Sequence, residues 1–289
     1  MAILKTENLT YTYSAGTPYE KNAVENVSLE INEGEIVGII GHTGSGKSTL
    51  IQHFNGLLKP TSGRILFDGE DPHSAKSKLR ELRFKVGLVF QYPEYQLFEE
   101  TVEKDVAFGP RNMGLSEADI KKQVHEALEL SGIKRELYSK SPFELSGGQK
   151  RRVAIAGVMA MKPKVLILDE PTAGLDPKGR NEIFAMLRNY HKTTKSTLII
   201  VSHSMEDAAS FADRILVMNK AKVFCFDTPE KVFSRAEELV SIGLDIPQIT
   251  RVCLELRKRG LDIDTNIYTV EAAKKAVRNC LEAKKVVPC

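Results

Sequence analysis

The octapeptide Gly41-His42-Thr43-Gly44-Ser45-Gly46-Lys47-Ser48 constrains this chain more than any other feature. It follows the apolar run Ile36–Ile40 and leads into Thr49-Leu50-Ile51-Gln52-His53-Phe54, whose pattern is helical. A glycine-rich turn of the form GxxxxGK followed by Ser or Thr carries meaning in that strand, loop and helix context. The glycines let successive backbone N–H groups curl around phosphate oxygens without a Cβ in the way, and the helix N-terminus adds a favourable dipole. Lys47 would reach the outer phosphates of a nucleoside triphosphate, and Ser48, with Thr49 behind it, would offer a hydroxyl to Mg²⁺. A plain glycine turn before an ordinary helix is the bland alternative, and it leaves the Lys-Ser pair unexplained.

Such a site needs an acidic partner on a second strand. Val165-Leu166-Ile167-Leu168-Asp169-Glu170 supplies one, delivering two carboxylates at the end of an apolar run, where ligands of open α/β sheets bind. Asp169 is the expected Mg²⁺ partner, mostly through water, and Glu170 the expected general base toward the attacking water. Alone, an apolar run ending in two acids would as readily be a structural strand end. Beside the phosphate loop it reads as chemistry.

The runs Ile36–Ile40, Val86–Phe90, Val165–Leu168 and Leu198–Val201 are short and continuously apolar, which suits strands buried on both faces of a mainly parallel sheet. Val27, Leu29 and Ile31 instead alternate with polar residues, as in a half-buried strand. Ile120, Val124, Ala127 and Leu128 mark an amphipathic helix between Ser116 and Leu130. A helical subdomain over about 92–160, inserted between two sheet strands, accommodates it. Near Asp227-Thr228-Pro229 the texture changes to short amphipathic helices, which sets an expected boundary: a domain over 1–228 and a small extension over 229–289. In that extension Ile249, Val252, Cys253 and Leu256 form a helical stripe that needs a surface, either the main domain or another chain.

Composition narrows the role. Lys plus Arg number 41 against 38 Asp plus Glu, an imbalance too small to argue for a nucleic-acid surface. Every apolar stretch is far short of the roughly 20 residues that cross a bilayer, so a membrane role would be peripheral, and no signal peptide is read at the start. The four cysteines, Cys225, Cys253, Cys280 and Cys289, lack CxxC spacing and read as reduced thiols rather than metal ligands or disulfides.

Phosphate loops serve many reactions, and the discriminating residues are Leu145-Ser146-Gly147-Gly148-Gln149, running into an amphipathic helix. Ser146 before two glycines makes a helix N-terminus with bare amides and a capping hydroxyl, hence a second phosphate-binding surface. This segment, placed just ahead of the Asp169-Glu170 strand, resembles the signature of ATP-binding-cassette (ABC) ATPases, and the resemblance covers residues 3 to about 228. It implies a P-loop α/β fold with a mainly parallel core sheet, an antiparallel β subdomain, an inserted helical subdomain and a small mainly helical C-terminal extension. By position it implies that Tyr13 stacks on the adenine of ATP, with Tyr11 an open alternative. It further implies that Gln91 senses Mg²⁺ and the attacking water, that Asp176 lies in the loop coupling two active sites, and that His203 is the switch histidine contacting the γ-phosphate.

Within that family, Gly41 to Thr49, Asn55 to Gly63, Phe90 to Val102, Phe108-Gly109-Pro110 and Ser141 to Ser146 resemble the energy-coupling-factor ATPases, including those of cobalt importers. His42 and the run ending in Ser146-Gly147-Gly148 resemble the second of their two ATPase types. The resemblance implies an integral-membrane coupling subunit, a substrate-binding membrane subunit, and a sister ATPase or second copy of this chain, at the cytoplasmic face of the membrane. It also implies that 229–289 help the two ATPases dimerise. Cargo, a vitamin or a transition metal ion such as cobalt, is not encoded here. The rival is a non-transport cassette ATPase of chromosome maintenance, DNA repair or the ribosome. Against the first two, the span from Lys47 to Ser146 carries no sustained heptad run.

Overall fold

The computed structural model of the chain describes residues 1–285. Its centre is a six-stranded sheet built from β3 (Ile36–Ile40), β5 (Val86–Val89), β6 (Val165–Asp169), β7 (Thr197–Val201), β8 (Arg214–Asn219) and β9 (Lys222–Asp227), in the order β5-β6-β7-β3-β8-β9. All neighbours are parallel except the β8–β9 pair. The continuous apolar runs are therefore explained by burial on both faces. Leu166 and Leu168 point into a core shared with the helical subdomain, whereas Val165 and Ile167 point into another shared with the antiparallel sheet.

That antiparallel sheet has the order β2-β1-β4 and is formed by β1 (Ala2–Tyr13), β2 (Lys21–Asn32) and β4 (Ser62–Phe67). Between it and the main sheet lies α1 (Lys47–Phe54), whose Leu50, Ile51 and Phe54 are buried with Val27, Leu29, Ile31, Val37 and Ile39. A further helix, α2 (Lys76–Lys85), leads into β5.

Between β5 and β6 the chain makes the expected helical subdomain from α3 (Val102–Asn112), α4 (Glu117–Leu130) and α5 (Gly147–Met159). Each begins at a hydroxyl side chain that accepts from a backbone amide: Thr101, Ser116 and Ser146. Such caps each contribute about 1 kcal/mol. The buried stripe of α4 consists of Ile120, Val124, Ala127 and Leu128, as its sequence period predicts. Two more helices, α6 (Pro177–Thr194) and α7 (Met205–Phe211), follow β6 and β7.

Beyond β9 come α8 (Pro229–Phe233), α9 (Ala236–Ser241), α10 (Gln248–Lys258) and α11 (Val270–Lys285). Val232, Phe233, Leu239, Leu244 and Ile246 share a core with Ile40, Met205, Ile215 and Val217, so the chain as far as Ile246 packs on the sheet. Past it, Cys253, Ile263, Ile267 and Ala273 form a separate core with Ile249 and Leu256 against it. Three members of the apolar stripe are thus satisfied inside the extension, and only Val252 is left half-exposed. The stripe by itself no longer calls for a second chain. Cys225, Cys253 and Cys280 carry no disulfide, and Cys289 lies outside the described residues.

Candidate nucleotide site

The phosphate loop joins β3 to α1, and β3 lies inside the sheet between the parallel strands β7 and β8. Gly41 and Gly46 have φ of 154° and 105°, and a Cβ at either would strike backbone, 2.4 Å from the Met218 carbonyl and 2.1 Å from that of Ala23. The loop is therefore clamped between β8 and β2, and these positions admit glycine alone. Lys47 is 5% exposed and donates to the carbonyls of Gly41 at 2.7 Å and His42 at 3.0 Å. Burial pulls its ammonium below the usual lysine value, against the opposing pull of Glu170 and Asp169. The Ser45 hydroxyl is buried without a hydrogen-bond partner, and the His42 ring lies between Thr43 O and Asn219 Oδ1.

Across the loop, β6 delivers Asp169 and Glu170. Burial pushes the Asp169 carboxyl up, opposed first by a hydrogen bond from Ser48 and then, beyond the adverse charge of Glu170, by Lys47 and His203. Glu170 turns away from the strand at φ 50°. Its carboxylate accepts from Gln91 Nε2 at 2.8 Å and meets His203 Nε2 at 2.6 Å. The parallel pairing of β5, β6 and β7 explains this convergence, because Gln91, Glu170 and His203 each follow the carboxyl end of one of three adjacent strands. A buried lysine, a hydroxyl–carboxylate pair and a carboxylate held by two polar side chains are brought together at one sheet edge. That set can neutralise a phosphate chain and orient a water for attack.

Tyr13 is 41% exposed and its hydroxyl is 3.3 Å from Thr49 Oγ1, at the first turn of α1. Tyr11 packs edge-on against both Tyr13 and the buried His53, each at 4.9 Å between ring centroids. Of the two aromatics, Tyr13 is the one with an open face beside the loop.

Ser146 and Gln149 close on each other as a capping box: Gln149 N–H donates to Ser146 Oγ, and Ser146 N–H donates to Gln149 Oε1 at 2.9 Å. A Cβ added at Gly147 or Gly148 would meet nothing within 4 Å, and neither residue has positive φ. Nothing in this chain demands glycine there. Asp176 caps α6, accepting from Gly179 N–H at 2.7 Å.

Sequence reasoning missed the side chains that brace this edge. Arg151, 2% exposed, donates to both oxygens of Glu94 and to the carbonyls of Pro171 and Ala173. Arg180 pairs with Asp207 and Ser204. Their partners are distant in sequence, and no spacing marks which acid each arginine meets.

Residues 24–173 match the family described as ABC transporter. The chain is 56% identical over 284 residues to the energy-coupling factor transporter ATP-binding protein EcfA2 of Caldanaerobacter subterraneus, covering 98% of this chain and 99% of that one. It is 58% identical over 273 residues to EcfA2 of Clostridium tetani, covering 94% and 95%. Among solved structures, CbiO1 of Clostridium perfringens, described as part of the transporter complex CbiONQ, superposes with a TM-score of 0.76 at 44% identity, over 90% of this chain and 97% of that one. A dimeric cassette, MJ0796, bound to ADP and phosphate after hydrolysis, gives 0.70 at 31% identity, over 78% and 98%.

Proposed function

This chain belongs to the ABC transporter ATPase family, an ATP-hydrolysing subunit of the energy-coupling-factor type, and from that premise we propose that it powers import of a vitamin or a transition metal ion such as cobalt. In the proposed assembly it pairs with a sister ATPase or a second copy of itself, on the cytoplasmic face of a coupling subunit and a substrate-binding subunit in the membrane. No helix among the described residues is long and apolar enough to cross a membrane. The aromatic surface following Gln91, where Tyr95 is 84% and Phe98 58% exposed and Phe98 stacks edge-on with Phe108, suits docking of a cytoplasmic helix of the membrane partner. The extension over 229–289 is proposed to assist pairing through the half-exposed Val252, Val270 and Leu281.

The observation that carries this reading is the start of α5, where two glycines offer bare amides although nothing in their own chain needs them. Glycine in a helix costs about 1 kcal/mol relative to alanine, so their benefit must come from a group that approaches from outside. In a pair of cassettes that group is the γ-phosphate of ATP seated on the partner's phosphate loop. Each nucleotide would then lie between Lys47 and Ser48 of one subunit and Ser146 to Gln149 of the other, with Asp176 at the seam.

The Ser48 hydroxyl and the Asp169 carboxylate, close enough for the first to stabilise the charge of the second, are an oxygen pair that fits Mg²⁺, an ion that takes one or two protein oxygens and completes its shell from phosphates and water. When bound, it supplies charge neutralisation on the phosphate oxygens. Lys47 exchanges its contacts with Gly41 and His42 for phosphate oxygens. Glu170, held by Gln91 on one oxygen, accepts a proton from the attacking water on the other, and His203 Nε2 moves its contact from Glu170 to the γ-phosphate. Because both halves contact the γ-phosphate only in the closed pair, its loss reopens the dimer.

The sharing of sites is tested by where two lesions are put. Lys47→Ala and Ser146→Arg together in this chain should disable both sites of a heterodimer and abolish ATPase activity. Ser146→Arg here, combined with loss of the phosphate-loop lysine in the sister chain, should damage one site twice and spare the other, leaving up to about half the activity if the sites act independently. The reverse ranking would show that each site is built within one chain.

A further inference from the structure

The catalytic edge is formed by three segments that leave different strands, and one side chain outside the assigned set lies between the two that follow β6 and β7. Asp207 lies in the first turn of α7, whose N-cap Ser204 immediately follows His203. Its carboxylate accepts from Arg180 Nε at 2.8 Å and from Arg180 Nη2, and the side chain of Thr172 lies near enough to favour its charged form. Thr172 is two residues beyond Glu170, in a tight turn closed by Ala173 N–H to Glu170 O at 3.1 Å and Leu175 N–H to Thr172 O at 3.2 Å. Arg180 stands one helical turn beyond Asp176, bonded through its backbone to Asp176 O at 3.0 Å, and also donates to Ser204 Oγ at 2.7 Å. The Ser204 hydroxyl in turn accepts from Asp207 N–H at 3.2 Å.

We propose that Asp207, clamped by Arg180, is a positioning residue that fixes the spacing between Glu170 and His203. This rests on the reading of those two as the catalytic pair. Sheet pairing aligns the two backbones as far as Glu170, through Asp169 opposite Val201 and Glu170 N–H donating to Val201 O at 3.0 Å. Beyond that bond the chain after Glu170 makes a left-handed turn and His203 leads into α7. Arg180 closes the gap, bonded through its backbone to Asp176 O on the Glu170 side and through its guanidinium to Ser204 and Asp207 on the His203 side. Asp207 is only 11% exposed, which makes its bonds short of competing water. The same bonds include the first turn of α6, so a movement of the Asp176 loop at the subunit seam is carried to His203 by Arg180 without passing through the nucleotide.

The test uses the assembled transporter with its membrane subunits and sister ATPase, comparing Asp207→Asn, Asp207→Ala, Arg180→Gln and Arg180→Lys in wild-type and His203→Ala backgrounds. In the wild-type background kcat should fall about 10- to 100-fold for Asp207→Ala, the scale of a misplacement near 1 Å. KM for ATP and binding of a fluorescent ATP analogue should stay within about twofold, since Lys47 and the loop are untouched. Arg180→Lys should recover part of what Arg180→Gln loses. In the His203→Ala background the Asp207 lesion should lower the residual single-turnover rate no further, because the residue it positions is gone. An equal loss in both backgrounds, or a loss that tracks reduced thermal stability, overturns the proposal. So does unchanged kcat. If Asp207→Ala fails to assemble, Arg180→Gln decides alone, its side chain being 38% exposed and its removal less disruptive. Wild-type turnover in His203→Ala would overturn the catalytic reading itself, and the positioning role with it.

Discussion

Gly148→Ala separates what the chain needs for folding from what it needs for catalysis. The residue is second in α5, has helical φ, and its new methyl would meet no atom within 4 Å. Replacing glycine at such a place narrows the unfolded ensemble and stabilises by about 0.4–1 kcal/mol. For a chain of this size that corresponds to a rise in Tm of roughly 1–4 °C. The same methyl would stand in the space through which a phosphate must approach the α5 amides. Loss of one such charge-stabilising donor costs about 10²- to 10³-fold in rate. The variant should therefore be slightly more stable, should bind ATP on its own phosphate loop normally, and should lose turnover in the complex with the sister ATPase. Scanning calorimetry of the isolated chain and phosphate release from the complex measure the two sides. Near wild-type turnover would refute the inference that these glycines face a partner's nucleotide, as would a Tm that falls along with activity.

Other outcomes follow from the same geometry. Glu170→Gln keeps a hydrogen-bonding side chain between Gln91 and His203 but removes the proton acceptor, so phosphate release should fall about 10²- to 10⁴-fold while ATP binding persists and the closed dimer accumulates; normal release removes Glu170 from that role. His53 is fully buried, with Nδ1 2.7 Å from the Thr49 carbonyl and Nε2 unpartnered, and burial holds its pKa below the ordinary value. The unfolded chain thus takes up a proton first as pH falls through about 6.5, and stability is lost below that pH by up to about 1.4 kcal/mol per unit. The drop in Tm between pH 7.5 and 5.5 should be smaller in His53→Gln, and an unchanged drop would exclude His53 as a source. Truncation after Ile246 should leave a folded, ATP-binding chain that pairs less well, whereas truncation at 228 should expose the core around Ile40 and Val217 and precipitate; equal solubility of the two would contradict the packing described.

What the sequence disclosed was whatever is local. Strand identity followed from runs such as Val165 to Leu168, and α4 from its apolar period, because each needs only neighbours along the chain. The expected site residues on the three strand ends converge because parallel register carries local motifs to one edge. The fate of the Ile249 stripe was not legible, since an amphipathic face states that it will be covered and not by what; α11 and the loop before it cover most of it. Arg151 and Arg180 were equally silent. An arginine reads as a solvated charge until Glu94, 57 residues earlier, or Asp207, 27 residues later, is folded against it.

The two-sided burial of the central strands divides labour by parity. In β3, β6 and β7 the odd-numbered side chains Val37, Ile39, Val165, Ile167, Ile199 and Val201 face α1 and the phosphate loop, and the even-numbered Ile36, Leu166, Leu168, Leu198 and Ile200 face the subdomain that bears the signature helix. Consecutive residues of one strand therefore answer to different halves of the catalytic site that is proposed to be completed between subunits. A cavity made at Ile167 loosens the floor under this chain's own nucleotide. One made a single residue later, at Leu168, loosens the platform under the signature helix, the face proposed to meet the partner.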